Sequence, residues 1–247
     1  MDRMLYVAMS GAKQNMLAQA INSNNLANIS TTGFRADLAA ARSMPLYGGS
    51  GFPTRVYSMT ENPGIDFKQG AMSTTGRDMD IAVAGKGFIT VQAPDGSEAY
   101  TRAGDLTADN AGVLQTGAGY MVLGEGGPIT IPEAAKVDIG KDGTISITQV
   151  GDGGGGSTVI DRLKLVNPDI KDLKRNENGL FVLKNGENAE ADDDVSVVSG
   201  TIETSNVNAA SALVNMIELA RQFEMQIKML KTAEENNAQA VQMLKIG

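Results

Sequence analysis

Near the C-terminal end an apolar residue recurs every three or four positions. Leu213, Met216, Ala220, Phe223, Ile227, Leu230, Glu234, Asn237, Val241 and Leu244 keep this spacing, and only Glu234 and Asn237 are polar. This is the seven-residue repeat of a helix that packs along its length on another helix. About 35 helical residues make a rod roughly 50 Å long, more than a soluble β-domain of this size can cover. The seam therefore calls for a helical partner, expected at the other end of the chain in residues 1–28. There Leu5, Met9, Ala12 and Met16 form a stripe that Ala20 and Ala27 continue at helical period. Ordinary packing of the long helix on its own body is the alternative.

Asp2 is placed to cap the first helix. Its later turns hold Asn22, Ser23, Asn24, Asn25 and Asn28, an unusual run because asparagine amides compete with helical backbone bonds. Either the helix frays here, or some amides bond across a helix–helix interface and fix its register. Thr31-Thr32-Gly33 is expected to stop the helix, with Gly33 as a left-handed cap. At the other end, Asn206 or Asn208 caps the long helix, and Glu224 and Lys228 form an i,i+4 pair on its outer side.

Between the ends the periodicity changes. Residues 34–75 show no clear period and are punctuated by Pro45, Pro53 and Pro63-Gly64. They are expected to be an extended connector, with short strands possible at Val56–Thr60 and Ile65–Phe67. From Gly76 the pattern becomes β. Candidate strands are Met79–Val83, Gly87–Gln92, Ala99–Arg102, Val113–Gln115, Tyr120–Leu123, Ile129–Ile131, Val137–Ile139, Thr144–Thr148, Val159–Val166, Leu180–Leu183 and Val195–Val198. Asp95-Gly96, Asp142-Gly143 and Asn185-Gly186 signal tight turns. The expected class is α+β: helices 1–33 and 201–247 form a coiled-coil domain, 34–75 connects, and 76–200 is an irregular all-β domain.

Composition narrows the function. The net charge of −8 opposes nucleic-acid binding, which needs a basic face. Histidine and cysteine are absent, which removes disulfides, thiol catalysis and Ser-His triads and leaves no expected metal or cofactor site. Aromatics are 4%, too few for the walls of a typical ligand pocket. The apolar run Met4–Met9 is far short of the roughly 20 residues that cross a bilayer, so no membrane insertion is expected, and it is too short for a cleaved secretory signal. Gly151-Asp152-Gly153-Gly154-Gly155-Gly156-Ser157 lacks the lysine of a phosphate loop and is expected to be a hairpin tip. Asp192-Asp193-Asp194 lacks the alternating ligands of a calcium loop. Among 29 acidic residues no spacing marks a catalytic pair, and no catalytic residue is expected. The sequon Asn28-Ile29-Ser30 carries little weight. Eight of 13 methionines (Met1, Met4, Met9, Met16, Met216, Met225, Met229 and Met243) fall in the terminal helices, as core filler or as side chains that adapt to unlike neighbours.

Three blocks together resemble the bacterial flagellar rod and hook proteins. The first is Met9-Ser10-Gly11-Ala12 with Ser23-Asn24-Asn25-Leu26-Ala27-Asn28-Ile29-Ser30-Thr31-Thr32-Gly33-Phe34-Arg35. The second is Asp80–Phe88, Tyr100–Asp105 and Gly119–Gly124. The third is Gly200–Asn208, leading into Met216-Ile217 and Arg221–Glu224. Length and the segments Gly33–Asp37, Gly127–Ile129 and Asp142–Ser146 favour a proximal-rod member, with distal-rod members as the alternative. The resemblance implies an inner helical domain and a β-rich outer domain, self-assembly with other rod subunits in a helical lattice, and export through the flagellar type III apparatus by uncleaved N-terminal information. Ordering free ends costs about 1–2 kcal/mol per residue, so the ends are expected to stay loose until neighbours supply contacts. The rival classes are a carboxylate-dependent peptidoglycan hydrolase and an adhesin with coiled-coil ends.

Overall fold

A computed structural model of the chain describes residues 3–45, 56–132, 134, 136–149 and 157–246. The expected Asp2 cap and the glycine run 151–156 lie outside the described residues. The chain is α+β, with one long helix at each end and a β-rich centre. It divides into two compact units. One comprises Met1–Ile29, Ala36–Asp66 and Val207–Gly247, the other Ser30–Arg35 and Phe67–Asn206.

The first unit holds helix α1 (Arg3–Ala27), strands β1 (Asp37–Pro45) and β2 (Val56–Ile65), and helix α2 (Ala209–Ile246). Asn22 Nδ2 donates to the Ala212 carbonyl at 2.8 Å. A Cβ placed on Gly11 would lie 2.9 Å from Gln226 Nε2. These two contacts set α1 and α2 antiparallel, and Gly11 lets them approach. Asn208 caps α2: its Oδ1 accepts the Ser211 N–H at 3.0 Å, and its carbonyl accepts the Ala212 N–H.

Strands β1 and β2 occupy much of the stretch expected as a connector. They pair antiparallel from Asp37–Ile65 to Pro45–Val56, with a bulge between Leu38 and Ala40. An isolated two-stranded ribbon is marginal in water, and α1 supports this one. The Asn25 amide donates to the Asp37 carbonyl and accepts the Asp37 N–H, both at 2.8 Å. It thus meets both backbone groups of the first strand residue. Ser10 Oγ donates to the Ser58 carbonyl at 3.4 Å.

The second unit runs through β3 (Met72–Thr74), β4 (Ile81–Ala84), β5 (Phe88–Gln92), β6 (Glu98–Thr101), β7 (Leu106–Ala108) and β8 (Leu114–Thr116). It continues with β9 (Leu123–Gly124), β10 (Gly127–Pro128), β11 (Lys136–Ile139), β12 (Thr144–Thr148), β13 (Ser157–Arg162) and β14 (Leu165–Val166). A 3-10 turn at Ile170–Asp172 precedes β15 (Leu173–Arg175), β16 (Phe181–Leu183), β17 (Ser196–Ser199) and β18 (Thr201–Glu203). The main sheet has the order β14-β5-β6-β16-β15. A second has the order β11-β12-β13, and β17-β4, β18-β3, β7-β8 and β9-β10 are ribbons. Alternating residues of these strands share one core, in which Ile81, Val83, Ile89, Val91, Leu106, Leu114 and Ile145 are fully buried. The turn at Asp95-Gly96 forms as expected, with Gly96 at φ 84°. The Ser97 hydroxyl and N–H donate to Asp95 Oδ1 at 2.6 and 3.0 Å and hold that carboxyl below its usual range.

The structure departs from the expected strands in several respects: Ile129–Ile131 forms only a bridge, between Thr130 and Val113, and Ile65–Phe67 is no separate strand, since β2 ends at Ile65. Val159–Val166 is not continuous: β13 ends at Arg162 and β14 begins at Leu165, in a different sheet. At the crossing the Leu163 N–H turns to the Gly143 carbonyl and the Lys164 N–H to the Leu123 carbonyl. The short strands β3, β7, β15 and β18 were not expected. Three residues are too few to display a period of two.

Several glycines, Gly104 and Gly33 among them, permit backbone contacts that no side chain would. A Cβ on Gly104 would sit 1.7 Å from the Ile81 carbonyl oxygen. One on Gly33, at φ +65°, would sit 2.2 Å from the Arg102 carbonyl carbon. Gly33→Ala therefore meets both a left-handed backbone and a backbone clash. It should destabilise the protein by clearly more than about 1 kcal/mol, seen as a lower urea midpoint with unchanged slope, whereas Gly76→Ala, also at positive φ but in open space, should cost less.

Candidate assembly site

Helix α1 is covered on every side but one. The exposed residues from Tyr6 to Ala27 are Tyr6, Met9, Lys13, Met16, Leu17, Ala20, Ser23, Asn24 and Ala27, a single stripe at three- and four-residue spacing. Met9 and Met16 are 57% and 58% exposed, while Ala12 is buried and Leu5 half-buried. The sequence stripe thus divides: Leu5 and Ala12 lie on the covered side, and Met9, Met16, Ala20 and Ala27 face outward. Apolar residues occur all round this helix, and periodicity alone does not choose among its faces.

On α2 the covered positions between residues 212 and 233 are Ala212, Met216, Leu219, Ala220, Phe223, Gln226, Ile227, Leu230 and Ala233. Met216, Ala220, Phe223, Ile227 and Leu230 of the expected seam lie on this side. Leu213 and Val241 do not, being 49% and 46% exposed. The side chain of Leu244 lies outside those described. Val214, Ile217, Met225 and Met229 add to the exposed apolar surface of α2. The helix has 38 residues to the 25 of α1, an excess of about 20 Å at 1.5 Å per residue. From Glu234 to Gln242 every residue is exposed.

The asparagine-rich block performs several tasks. Asn22 bonds across to α2 and Asn25 clamps β1. Asn28 Nδ2 donates locally, to the Asn24 carbonyl at 2.9 Å. Ser23, Asn24 and Ala27 are exposed, and Leu26 is half-buried. Gly33 has the expected left-handed backbone but does not cap α1. The helix ends at Ala27, and the Gly33 N–H donates to the Glu203 carbonyl at 2.8 Å.

From Ser30 onward the block belongs to the second unit, and at Arg35 it meets a charge cluster that the sequence did not announce. Arg35 Nη1 lies 2.5 Å from Glu203 Oε1, and Arg102 Nη1 donates to Glu203 Oε2 at 3.0 Å. The three side chains are 1%, 6% and 0% exposed. The Gly70 N–H donates to Glu203 Oε1 at 2.8 Å. Arg102 also donates to the carbonyls of Val83 and Gly85. Arg175 donates to the Arg35 carbonyl, with its guanidinium 4.9 Å from the Phe34 ring centroid and 5.5 Å from that of Phe181. Burial pushes the pKa of Arg102 down. Glu203 pulls it back, and neighbouring Arg35 pushes it further down. The only signal in the sequence was that Arg35, Arg102 and Glu203 each sit in one of the three blocks.

Removing the shared carboxylate would leave two buried guanidiniums without it. Glu203→Gln should cost about 3–5 kcal/mol in chemical denaturation. Glu98→Gln, which breaks the partly exposed Lys164 pair at 2.9 Å, should cost about 1 kcal/mol or less. At the helix interface, Asn22→Ala should cost about 0.5–1.5 kcal/mol, with faster amide exchange confined to the facing turns of α1 and α2.

Three family models match successive segments of the chain. Residues 5–35 match the model described as flagella basal body rod protein, residues 82–147 that of the flagellar hook protein FlgE/F/G D1 domain, and residues 198–243 that of the flagellar basal body rod FlgEFG protein C-terminal region. The flagellar basal-body rod protein FlgF of Escherichia coli (strain K12) is 42% identical over 100% of both chains. FlgF of Caulobacter vibrioides is 33% identical over 99% of this chain and 98% of its own. FlgG of Bacillus subtilis (strain 168) is 31% identical over 95% of this chain and 96% of its own. With full-length identity of this order and all three family segments in sequence, the chain belongs to the flagellar basal-body rod proteins and is most like FlgF.

Proposed function

We propose that this protein is a structural subunit of the proximal flagellar rod that polymerises through its terminal helices, with the β-rich unit in an outer layer. The observation that carries this reading is the apolar surface of the helices. Tyr6, Met9, Met16 and Leu17 of α1, with Leu213, Val214, Ile217, Met225, Met229 and Val241 of α2, are all 40–58% exposed. Patches of this kind mark protein contacts.

The energetics favour a lattice over a dimer. Completing the burial of one such half-exposed side chain is worth about 1 kcal/mol, so ten contribute on the order of 10 kcal/mol when all are covered. Association itself costs roughly 4–15 kcal/mol. A single pairwise contact covers only part of the surface and barely breaks even. A subunit surrounded by several neighbours gains from most of it. This threshold suits a protein that must not polymerise before export.

In the assembled rod, α1 and α2 would join coiled-coil contacts with neighbouring helices around a central channel. Residues 1–33 and 201–247 would make this inner domain, 34–75 its connection, and 76–200 the outer domain. Other rod subunits and further copies of this chain are the partners, and the export apparatus acts earlier, on the N-terminal segment.

Ile217→Asp is the direct test, because Ile217 is 55% exposed and not needed for the α1–α2 contact. The isolated protein should keep its stability within about 0.5 kcal/mol and still be exported, yet fail to enter rods and leave cells non-motile. Leu230→Asp should block incorporation too, while leaving the β-rich unit folded. Normal motility with Ile217→Asp refutes assembly through this surface. Deleting residues 1–32 should remove export as well as assembly; secretion at the full rate would place the export signal elsewhere.

A further inference from the structure

Beside the charge cluster, within the β-rich unit, lies a cavity of about 590 Å³. Its wall has an unusual balance for a chain of net charge −8. Arg35, Arg102 and Lys86 line it with only one carboxylate, that of Asp169. Asp169 is already engaged as the cap of the 3-10 turn, accepting the Lys171 N–H at 3.1 Å. Lys86 is exposed at the mouth and has no ion-pair partner among the described residues. Phe67, Phe88 and Ile170 supply an apolar side.

The two arginines are incompletely satisfied. Glu203 has one negative charge to share between two guanidiniums. Among the described residues the Nε of Arg35 and the Nε of Arg102 find no acceptor. Arg35 and Arg102 are 1% and 5% exposed, and their Nε atoms lie out of reach of solvent, so an anion in the cavity meets the positive charge at its wall and not these donors. Guanidinium groups match carboxylates in geometry and charge. A volume of this size with a few convergent polar groups and one greasy wall is typical of a ligand site.

We propose that this cavity binds a carboxylate attached to an apolar body, the anion being drawn by Lys86 to the surplus positive charge of Arg35 and Arg102 while the apolar part lies against Phe67 and Phe88. Rod assembly through the terminal helices does not use this cavity, so the two readings stand or fall separately. The carboxylate has two possible sources, a small organic acid or an acidic side chain of a neighbouring protein chain.

The test uses the full-length protein with ¹⁵N-labelled arginine, observing the Nε–Hε resonances of Arg35 and Arg102. The probes are phenylacetate, the blocked peptide acetyl-Leu-Glu-Leu-amide, and 2-phenylethanol as the uncharged control. Saturable shifts with a carboxylate probe, none with 2-phenylethanol, and binding at least about tenfold weaker in Lys86→Glu are expected. Lys86→Glu should fold as the parent does, since Lys86 is exposed. Tighter binding of the peptide assigns the site to an acidic side chain, and equal or tighter binding of phenylacetate assigns it to a small acid. No saturation with either carboxylate, equal shifts with 2-phenylethanol, or indifference to Lys86→Glu overturns the proposal.

Discussion

Two guanidiniums closing on one buried carboxylate hold together segments far apart in sequence. Arg35 follows the first helix, Glu203 precedes the last, and Arg102 lies in the β-rich centre. Charges this deeply buried are costly unless each finds its partner. The cluster therefore forms only when the segment around Arg35, the strand β18 and the chain just after β6 are all in place. The Gly33–Glu203 backbone bond and the Thr32–Asp105 bond at 2.7 Å close the same junction. Gly33 belongs to this junction because only a residue without a side chain can lie on the Arg102 backbone.

The helical unit follows a different logic. Its fully buried residues are small, Ala8, Gly11 and Ala12 on α1 and Ala212 and Ala233 on α2, while Met216, Leu219, Phe223, Ile227 and Leu230 on the covered side of α2 are half-buried. Small residues allow close approach, the Asn22 amide sets register, and the larger apolar residues of the covered side are only half consumed. Many of the larger apolar side chains, Met9, Met16, Met225 and Met229 among them, stay outside. Fully buried alanines beside half-buried and exposed methionine, leucine and isoleucine are not what a self-sufficient domain prefers. They suit a part whose burial is completed by neighbours, and flexible methionine suits neighbours that are not identical.

Much of this was legible beforehand. The seven-residue spacing from Leu213 announced α2, and the Asp95-Gly96 turn and the strand at Thr144–Thr148 were readable from local chemistry. Of the asparagines, Asn22 bonds across the helices, as one of the two readings expected, while Asn28 bonds within its own turn. Illegible were contacts that depend on distant residues. Nothing near Asn25 reveals that its amide will meet Asp37, and nothing near Glu203 reveals two arginines. Of the ribbon of β1 and β2 only Val56–Thr60 was legible as a possible strand; the rest carries no clean alternation and relies on α1 for support.

Sequence alone determined the class of the chain, its helical ends and its family, because helix periodicity, turn chemistry and motif blocks are all local properties written in neighbouring residues. Tertiary structure decided which side of each helix is consumed and which remains. Met9 and Ala12 are equivalent in a pattern of apolar positions, and only the placement of α2 and the hairpin against α1 makes one an outward contact and the other a buried one. It likewise decided that Arg35, Arg102 and Glu203 form one site, since charge pairing acts through space and leaves no trace in spacing along the chain.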